Sequence, residues 1–179
     1  MSYKYNGVGW YVLRVKSLHE RKIYELLSES SIEAFLPLVK TVRNWSDRKK
    51  IILKPLFPSY IFVNIQRSLD FFKALDMYGA FSYIHFGNEY AKVPNSEIEK
   101  IKFLVGAKEI KGVKLDTQPL KVGDMKKISS GPLNGLECEI LKVNNIKKVV
   151  VRVTSLRQNI TATLPSYYLD DVKELIEKP

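Results

Sequence analysis

The chain has 179 residues, of which 45% are apolar, so it can form one medium domain or two small ones and is too apolar to be disordered throughout. Its formal charge of +10 and pI near 9.5 point to an anionic partner, nucleic acid ahead of a membrane surface. The single cysteine, Cys138, excludes an intramolecular disulfide. Residues 1–9 lack the apolar segment of a signal peptide, and no apolar run approaches the ~20 residues of a membrane helix. We therefore expect a cytoplasmic protein with no membrane partner.

Residues 10–16 (WYVLRVK) predict the first strand, because their side chains sort onto two faces with a period of two. Ser17 and Glu20 match the S-x-x-E capping box, so the first helix is expected to open at Ser17. Ile23 and Leu27 belong to an apolar stripe along that helix. The chain therefore opens with a strand followed by an amphipathic helix.

Further strand and helix patterns continue through residue 106. Strands are predicted over 32–39, 60–65 and 83–86, helices over 69–77 and 96–106, and a polar, basic hairpin or loop over 40–50. The last helix is expected to open at a second capping box, Ser96 with Glu99, and to end at Gly106. The order β-α-β-β-α-β predicts a ferredoxin-like fold, in which two helices cover one face of a sheet.

The C-terminal part of the chain has a different character. Residues 107–118 are polar without strong periodicity and predict a linker. Beyond them, short strands separated by turn signals are predicted over 125–128, 136–143, 146–153 and 160–164. This pattern predicts a small β-barrel. The chain is therefore expected to be an α+β protein with one domain at 1–106, a linker at 107–118 and a second domain at 119–179.

Alternation along the strands at 10–16 and 60–65 places large side chains on both faces of the predicted sheet. One face is expected to pack against the helices. The other, here called the second face, carries Trp10, Val12, Arg14, Tyr60 and Phe62. A contiguous apolar patch that stays exposed usually marks a binding surface. The alternative is that these aromatics are core residues covered in part by the third helix, and for Trp10 both interpretations stay open.

Basic residues with aromatics near them form a second candidate site. They are Lys16, Arg21 and Lys22 around the start of the first helix, Arg43, Arg48, Lys49 and Lys50 with Trp45 in the hairpin, and Lys73 with Phe71 and Phe72 on the second helix. Lysine and arginine beside stacking aromatics suit single-stranded nucleic acid. The alternative is a solvated charged face without a partner, and for the hairpin neither interpretation is preferred.

Groups that could perform catalysis are scarce in the sequence. The two histidines, His19 and His85, lie far apart, and Cys138 sits on an alternating strand as a small core residue would. The sequence has no metal-ligand spacing, glycine-rich phosphate loop or carboxylate pair in a recognisable motif. We therefore expect neither enzymatic activity nor a cofactor or metal.

Two motifs resemble a known family of transcription factors. Residues 10–13 (WYVL) with 55–63 (PLFPSYIFV) resemble the N-terminal (NGN) domain of the NusG family. Residues 122–124 (VGD) with 128–137 (ISSGPLNGLE) resemble the KOW motif of that family's C-terminal domain, an SH3-like barrel. Ser59 stands where general members usually have glycine, and Cys138 replaces the glycine that commonly ends the KOW core. The run PLFPSYIFV is more similar to specialised RfaH-type antiterminators, and the whole pattern to UpxY-type regulators of surface-polysaccharide operons.

The resemblance implies two binding surfaces. In the family, the clamp helices of the largest RNA polymerase subunit are gripped by a surface that would here comprise Trp10, Arg14, Phe57, Pro58, Tyr60, Phe62 and Phe86. The basic flank, with Lys16, Arg21, Lys22, Phe71 and Lys73, would approach the upstream duplex and the non-template DNA strand. For Phe57 and Tyr60, beside Pro58 at a strand entrance, the binding interpretation is preferred to the core interpretation.

The implied mechanism is suppression of pausing or termination, because a factor that bridges the polymerase cleft disfavours the open, paused state. The KOW domain would recruit a small-subunit ribosomal protein or the termination factor Rho, and a monomer is expected. That domain is expected to be a barrel at rest, without RfaH-type refolding from helices, because 149–151 and 160–163 are β-prone. The alternative is a ribosome-associated KOW-type RNA-binding protein, which would not require Phe57 and Tyr60.

Overall fold

The structure is a computed structural model that describes residues 5–44, 48–107, 110–116, 124–127, 137–143, 146–153 and 158–163. The chain divides into two compact units, Met1–Ile98 and Glu99–Pro179. Each unit has its own antiparallel sheet.

The first unit contains the predicted strands and helices, with shifted ends, together with short strands that the sequence did not predict. They are β1 (Gly9–Val15), α1 (Glu20–Glu29), β2 (Glu33–Phe35), β3 (Leu38–Asn44), β4 (Lys49–Pro55), β5 (Tyr60–Ile65), α2 (Ser68–Leu75), β6 (Ala80–Tyr83), β7 (His85–Phe86), β8 (Glu89–Tyr90) and β9 (Lys92–Val93). Helix α3 (Asn95–Gly106) starts in this unit. The strand expected over 32–39 is split at Pro37, because proline has no N–H to donate to a ladder. The hairpin interpretation of 40–50 is confirmed by the β3–β4 pairing.

Sheet topology confirms the ferredoxin-like prediction for this unit. The strand order is β2-β5-β1-β6, with β9 also paired to β1, and every pairing is antiparallel. Of the four strands of the β-α-β-β-α-β repeat, the first and third therefore lie side by side at the centre. That central pair, β1 with β5, runs from Gly9 opposite Ile65 to Arg14 opposite Tyr60.

The core lies between the first face of this sheet and helices α1 and α2. Tyr11, Leu13 and Val15 of β1 and Ile61, Val63 and Ile65 of β5 are buried there, as alternation predicts. Phe71 from α2 stacks on Tyr83 with ring centroids 4.1 Å apart. The Tyr83 hydroxyl donates to the Phe71 carbonyl oxygen at 3.1 Å, so this buried phenol has a partner.

The first helix begins differently from the prediction. A turn from Lys16 to His19 includes Leu18 in the left-handed region (φ 65°), and the helix starts only at Glu20. His19 is the N-cap residue, and no side chain caps the helix. The expected Ser17–Glu20 capping box is therefore wrong, because Glu20 is the first helical residue rather than the third after the cap.

The second unit contains the four predicted strands at nearly the predicted positions and one further strand. They are β10 (Lys111–Asp116), β11 (Asp124–Lys127), β12 (Glu137–Val143), β13 (Ile146–Val153) and β14 (Gln158–Thr163), in the order β10-β14-β13-β12-β11. All four pairings are antiparallel. The interpretation of 107–118 as a linker is wrong for 111–116, because this polar segment finds its hydrogen-bonding partner in β14, far along the chain.

The KOW motif lies mostly outside the described residues. Residues 122–123 and 128–136 are not described, and only Asp124 and Glu137 of the motif belong to described strands. Closure of the five strands into a barrel therefore stays a prediction. Within the described part of the chain, the helices are too short and too polar to cross a membrane. In that same part, no three His, Cys, Asp or Glu side chains are grouped to hold a metal ion.

Tyr11 gives a prediction about alkaline stability. Its hydroxyl donates to the Gly7 carbonyl oxygen at 2.5 Å, and burial, with a smaller contribution from Tyr5, raises the pKa of Tyr11 to about 12. Since this value lies above the ordinary 10.0, the unfolded chain releases the proton first as the pH rises. We expect the free energy of unfolding to fall between pH 10.0 and about 12, measured by urea unfolding. Tyr11→Phe cannot ionise and should show a shallower fall, whereas equal slopes would contradict the assignment.

Candidate functional site

The second face of the first-unit sheet is buried along most of its length. Trp10 is 5% exposed and Phe62 is 0% exposed, and Val12 and Phe57 are also buried. Phe57 packs edge-on against Phe62, and Phe35 lies 6.0 Å from Phe62 between ring centroids. The expectation of an open aromatic patch at these residues is therefore wrong, because alternation assigns a side chain to a face without deciding whether that face is covered. For Trp10 the structure agrees with the core alternative.

One end of the second face remains accessible. Arg14 is exposed and lies directly across from Tyr60, which is half-buried, in the β1–β5 register. Pro58, just before β5, is exposed as well. Arg14, Pro58 and Tyr60 are here called the open end of the second face. It joins a cation, a ring and a proline, a set suited to a protein surface with apolar and acidic side chains.

Phe86 is the remaining member of the predicted polymerase-binding set. It lies on the short β7–β8 hairpin and is 42% exposed. The hairpin follows directly after β6, and the Ile84 N–H donates to the Val12 carbonyl oxygen at 2.9 Å. The chain from Tyr83 to Ile84 thus runs beside β1. The structure thus describes an exposed aromatic on this hairpin.

A tight turn over 57–59 leads into β5 and shapes the open end. The Tyr60 N–H donates to the Phe57 carbonyl oxygen at 3.2 Å, and Ser59 between them has a φ of 66°. The Ser59 carbonyl oxygen accepts from the Val15 N–H at 2.8 Å. The Ser59 N–H donates to Oε1 of Glu20 at 2.8 Å, and Glu20 is 5% exposed. Sequence patterns gave Glu20 a helix-capping role, so its contact with Ser59 was missed.

The basic candidates whose side chains the structure describes are exposed, whereas the aromatic candidate Phe71 is buried. Lys16, Lys22 and Lys73 are exposed, and Arg21 is exposed while its Nη2 donates to the Leu53 carbonyl oxygen at 3.2 Å. That hydrogen bond ties the start of α1 to strand β4. It brings Arg21 beside the basic hairpin, whose Arg48, Lys49 and Lys50 are also exposed. Trp45 lies outside the described residues.

Phe71 is wrongly placed among the nucleic-acid contacts. It is 1% exposed and packs against Tyr83 and Tyr11, whereas Phe72 is 56% exposed. Successive helix residues differ by about 100° around the axis, so one of two adjacent phenylalanines faces the core while the other points away. The nucleic-acid contact predicted for Phe71 is therefore wrong. Phe72, next to Lys73, is the aromatic available for stacking.

Tyr78 is an exposed aromatic that sequence reasoning did not select. It is 75% exposed, and Gly79 after it accepts a hydrogen bond from the Lys16 N–H at 2.7 Å through its carbonyl oxygen. Gly79 has a φ of 96°, which a residue with a Cβ rarely adopts. The turn between α2 and β6 therefore lies next to the Lys16 backbone and carries the exposed Tyr78. The only sequence feature that indicates an exposed position for this tyrosine is the glycine that follows it near the end of a helix.

An ion pair at the start of α2 reduces the local positive charge. Arg67 donates to both carboxylate oxygens of Asp70, at 2.9 and 3.1 Å. These hydrogen bonds from Arg67 are the main reason that the pKa of Asp70 is lowered, and Lys73 contributes less. Asp70 therefore stays ionised near neutral pH beside Lys73, which reduces the local positive potential on this helix.

Phe71 and Phe72 provide a matched pair of substitutions. Phe71→Ala should lower the free energy of unfolding by about 3–5 kcal/mol, because it removes a fully packed ring and leaves a cavity. Phe72→Ala should change it by less than about 0.5 kcal/mol, since the ring is exposed. Urea unfolding of both variants checks this, and equal losses would contradict the placement of the two rings.

Comparison with known proteins identifies the family to which this fold belongs. The family model for NusG, described as transcription termination factor nusG, matches residues 9–102, more than half of the chain. A solved structure on domain interaction in Thermotoga maritima NusG is similar with a TM-score of 0.53 at 23% identity, over 94% of this chain and 97% of that chain. This likeness concerns the fold.

Two structures of the MjSpt4:Spt5 complex also match. Conformation A has a TM-score of 0.32 at 13% identity, over 92% of this chain and 96% of that chain. Conformation B has a TM-score of 0.32 at 15% identity, over 95% and 99%. No curated protein matches the chain. Since the family model spans the β1 and PLFPSYIFV segments and the ferredoxin-like sheet that they build, the chain belongs to the NusG family of transcription elongation factors.

Proposed function

We propose that this protein binds RNA polymerase through the second face and suppresses pausing or termination. The observation that carries the proposal is the open end of that face, where Arg14, Pro58 and Tyr60 are accessible in a chain of the NusG family. The partner is the pair of clamp helices of the largest polymerase subunit, the role that the family resemblance implies for this surface. Phe86 contributes from the β7–β8 hairpin.

The buried aromatics support this role as a rigid base. Phe57 and Phe62 pack edge-on with centroids 5.5 Å apart, and both are buried. Trp10 is buried on the same face, two residues before Val12, which is paired with Phe62. Side chains that are already fixed lose little conformational entropy when a partner arrives. Tyr60 and Arg14 are then the side chains that contact the partner directly.

Binding requires no covalent chemistry, and we propose a factor without enzymatic activity. A protein that contacts the clamp only in the closed polymerase raises the population of that state at the expense of the paused, open state. The size of the effect is set by the difference between its affinities for the two states. This is how binding alone produces antitermination.

Bubble DNA is the second partner in the proposal. Lys16, Arg21 and Lys22 are exposed around the start of α1, and Lys73 is exposed on α2. Phe72, in place of Phe71, supplies a ring for base stacking. Phosphates and bases of a single strand are recognised by this combination of cations and aromatics. The non-template strand and the upstream duplex are the nucleic acids expected there.

The C-terminal unit and the degree of specialisation belong to the same proposal. We propose that β10–β14 close into a KOW barrel that recruits a small-subunit ribosomal protein or Rho. The described strands favour a β form at rest. We also propose that the protein is an RfaH-like or UpxY-like paralogue acting at particular operons, such as those for surface polysaccharides, because PLFPSYIFV resembles that group.

Tyr60 gives the test of polymerase binding. Tyr60→Ala should weaken binding of the full chain to the isolated clamp-helix fragment by about 2 kcal/mol, roughly 30-fold, because it removes an anchoring ring. Arg14→Ala should weaken binding in the same direction. Calorimetric titration measures both, with Tyr78→Ala as the control, an exposed tyrosine outside the second face. Phe57→Ala is unsuitable, because Phe57 is 1% exposed and its loss would disturb the fold.

The same titration separates the proposal from its alternative. A folded wild-type chain that does not bind the fragment would overturn the clamp assignment. Co-sedimentation with ribosomes that is released by high salt, without co-purification of polymerase, would instead support a ribosome-associated RNA-binding protein. If the Tyr60 and Arg14 variants bound the fragment with full affinity, the contact with the clamp helices would have to lie outside the open end.

Salt dependence gives the test of nucleic-acid binding. If about four phosphates are contacted, the affinity for a single-stranded oligonucleotide should fall roughly 50-fold between about 50 and 200 mM salt. Lys16→Ala should reduce the slope of log affinity against log salt by roughly 0.7, the contribution of one phosphate contact. Fluorescence anisotropy measures the slopes, with Lys92→Ala as the control. An unchanged slope for Lys16→Ala would assign Lys16 to the solvated surface.

A further inference from the structure

Glu20 is a buried carboxylate at the first helical position of α1, where it is 5% exposed. Its Oε1 accepts the Ser59 N–H at 2.8 Å across 39 residues of sequence. A carboxylate taken out of water needs such a donor, because it loses its hydration on burial. The contact therefore fixes α1 and the 57–59 turn relative to each other.

Ser59 adopts a backbone conformation that needs support. Its φ of 66° lies in the left-handed region, which is unfavourable for a residue with a Cβ. The turn is held from two sides, since Val15 donates to the Ser59 carbonyl oxygen and Ser59 donates to Glu20. If either of these two hydrogen bonds is removed, the backbone of Ser59 can relax from its strained conformation.

Relaxation of this turn would change the open end of the second face. Phe57 is buried and Pro58 is exposed, and the turn is closed by the Tyr60 N–H donating to the Phe57 carbonyl oxygen. A change at Ser59 alters the direction in which the chain enters β5. Pro58 and the ring of Tyr60 would then move relative to Arg14 on β1.

We propose that Glu20 is a positioning residue, which holds the 57–59 turn so that Pro58 and Tyr60 stand beside Arg14 in the arrangement that the clamp helices bind. This inference rests on the proposed polymerase binding. Glu20 touches no partner and acts through Ser59. Ser59 therefore contributes through the conformation of its backbone.

Three full-length variants test the proposal. Glu20→Gln keeps a carbonyl oxygen that accepts the Ser59 N–H, and Glu20→Ala removes the acceptor. In the double variant Glu20→Ala with Ser59→Gly, the turn no longer needs the acceptor, because glycine adopts a positive φ without strain. Glu25→Ala, an exposed glutamate on the same helix, is the matched control. Should Glu20→Ala fail to fold, Glu20→Asp replaces it, since the shorter side chain withdraws the oxygen from Ser59.

Two measurements are made on each variant: hydrogen exchange of the Ser59 amide by NMR, and affinity for the isolated clamp-helix fragment. Glu20→Ala should speed the exchange and weaken the affinity, each by roughly 10-fold or more, the effect of losing a hydrogen bond to a charged group. Glu20→Gln and the double variant should bind within about 3-fold of wild type, because the turn is kept. Glu25→Ala should change neither quantity.

The outcomes are distinct. Unchanged Ser59 exchange in Glu20→Ala would overturn the positioning role. So would a loss of affinity that Ser59→Gly does not restore, because Glu20 would then act on stability or on the partner directly. A wild-type chain that does not bind the fragment, while Glu20→Ala still speeds Ser59 exchange, would overturn the proposed function and leave the hydrogen bond that holds the turn established.

Discussion

The antiparallel pairing of β1 with β5 is the contact on which the rest of the first unit depends. It sets Leu13 opposite Ile61 and Arg14 opposite Tyr60, so one register fixes both faces of the sheet at once. A slip of one residue would exchange the two faces and place Arg14 in the core. The helices can pack on one side, and a partner can bind on the other, only because this register holds.

The two faces of that sheet are similarly apolar, but only the second face has an end that is exposed to water. The first face is buried throughout, from Tyr11 to Val15. The second face is equally apolar at Val12 and Phe62 but ends at Arg14 and Tyr60, where water reaches it. The cation of Arg14 beside the half-buried ring of Tyr60 is only partly desolvated. The open end is therefore the part of this face that is accessible to a partner.

Local strain and charge are arranged around the same end. Ser59 occupies a left-handed conformation, and a buried carboxylate from α1 accepts its N–H. On the flank formed by α1 and β4, Arg21 links the helix to the hairpin and exposed lysines lie on both sides. In a chain with a net charge of +10, the proposed function assigns an apolar partner to one surface and an anionic partner to its neighbour.

The sequence by itself determined the main helices and strands, their order, and the face on which the residues of β1 and β5 lie, because helix and strand periodicities are local properties. Tertiary structure alone decided the rest. Burial of Trp10 and Phe62 depends on what lies over the second face, and the choice of Phe71 over Phe72 as core depends on the rotation of α2 about its axis. Residues 111–116 became a strand only through β14, and Glu20 found Ser59 across 39 residues. Such contacts join distant segments, and no local pattern encodes the distance between them.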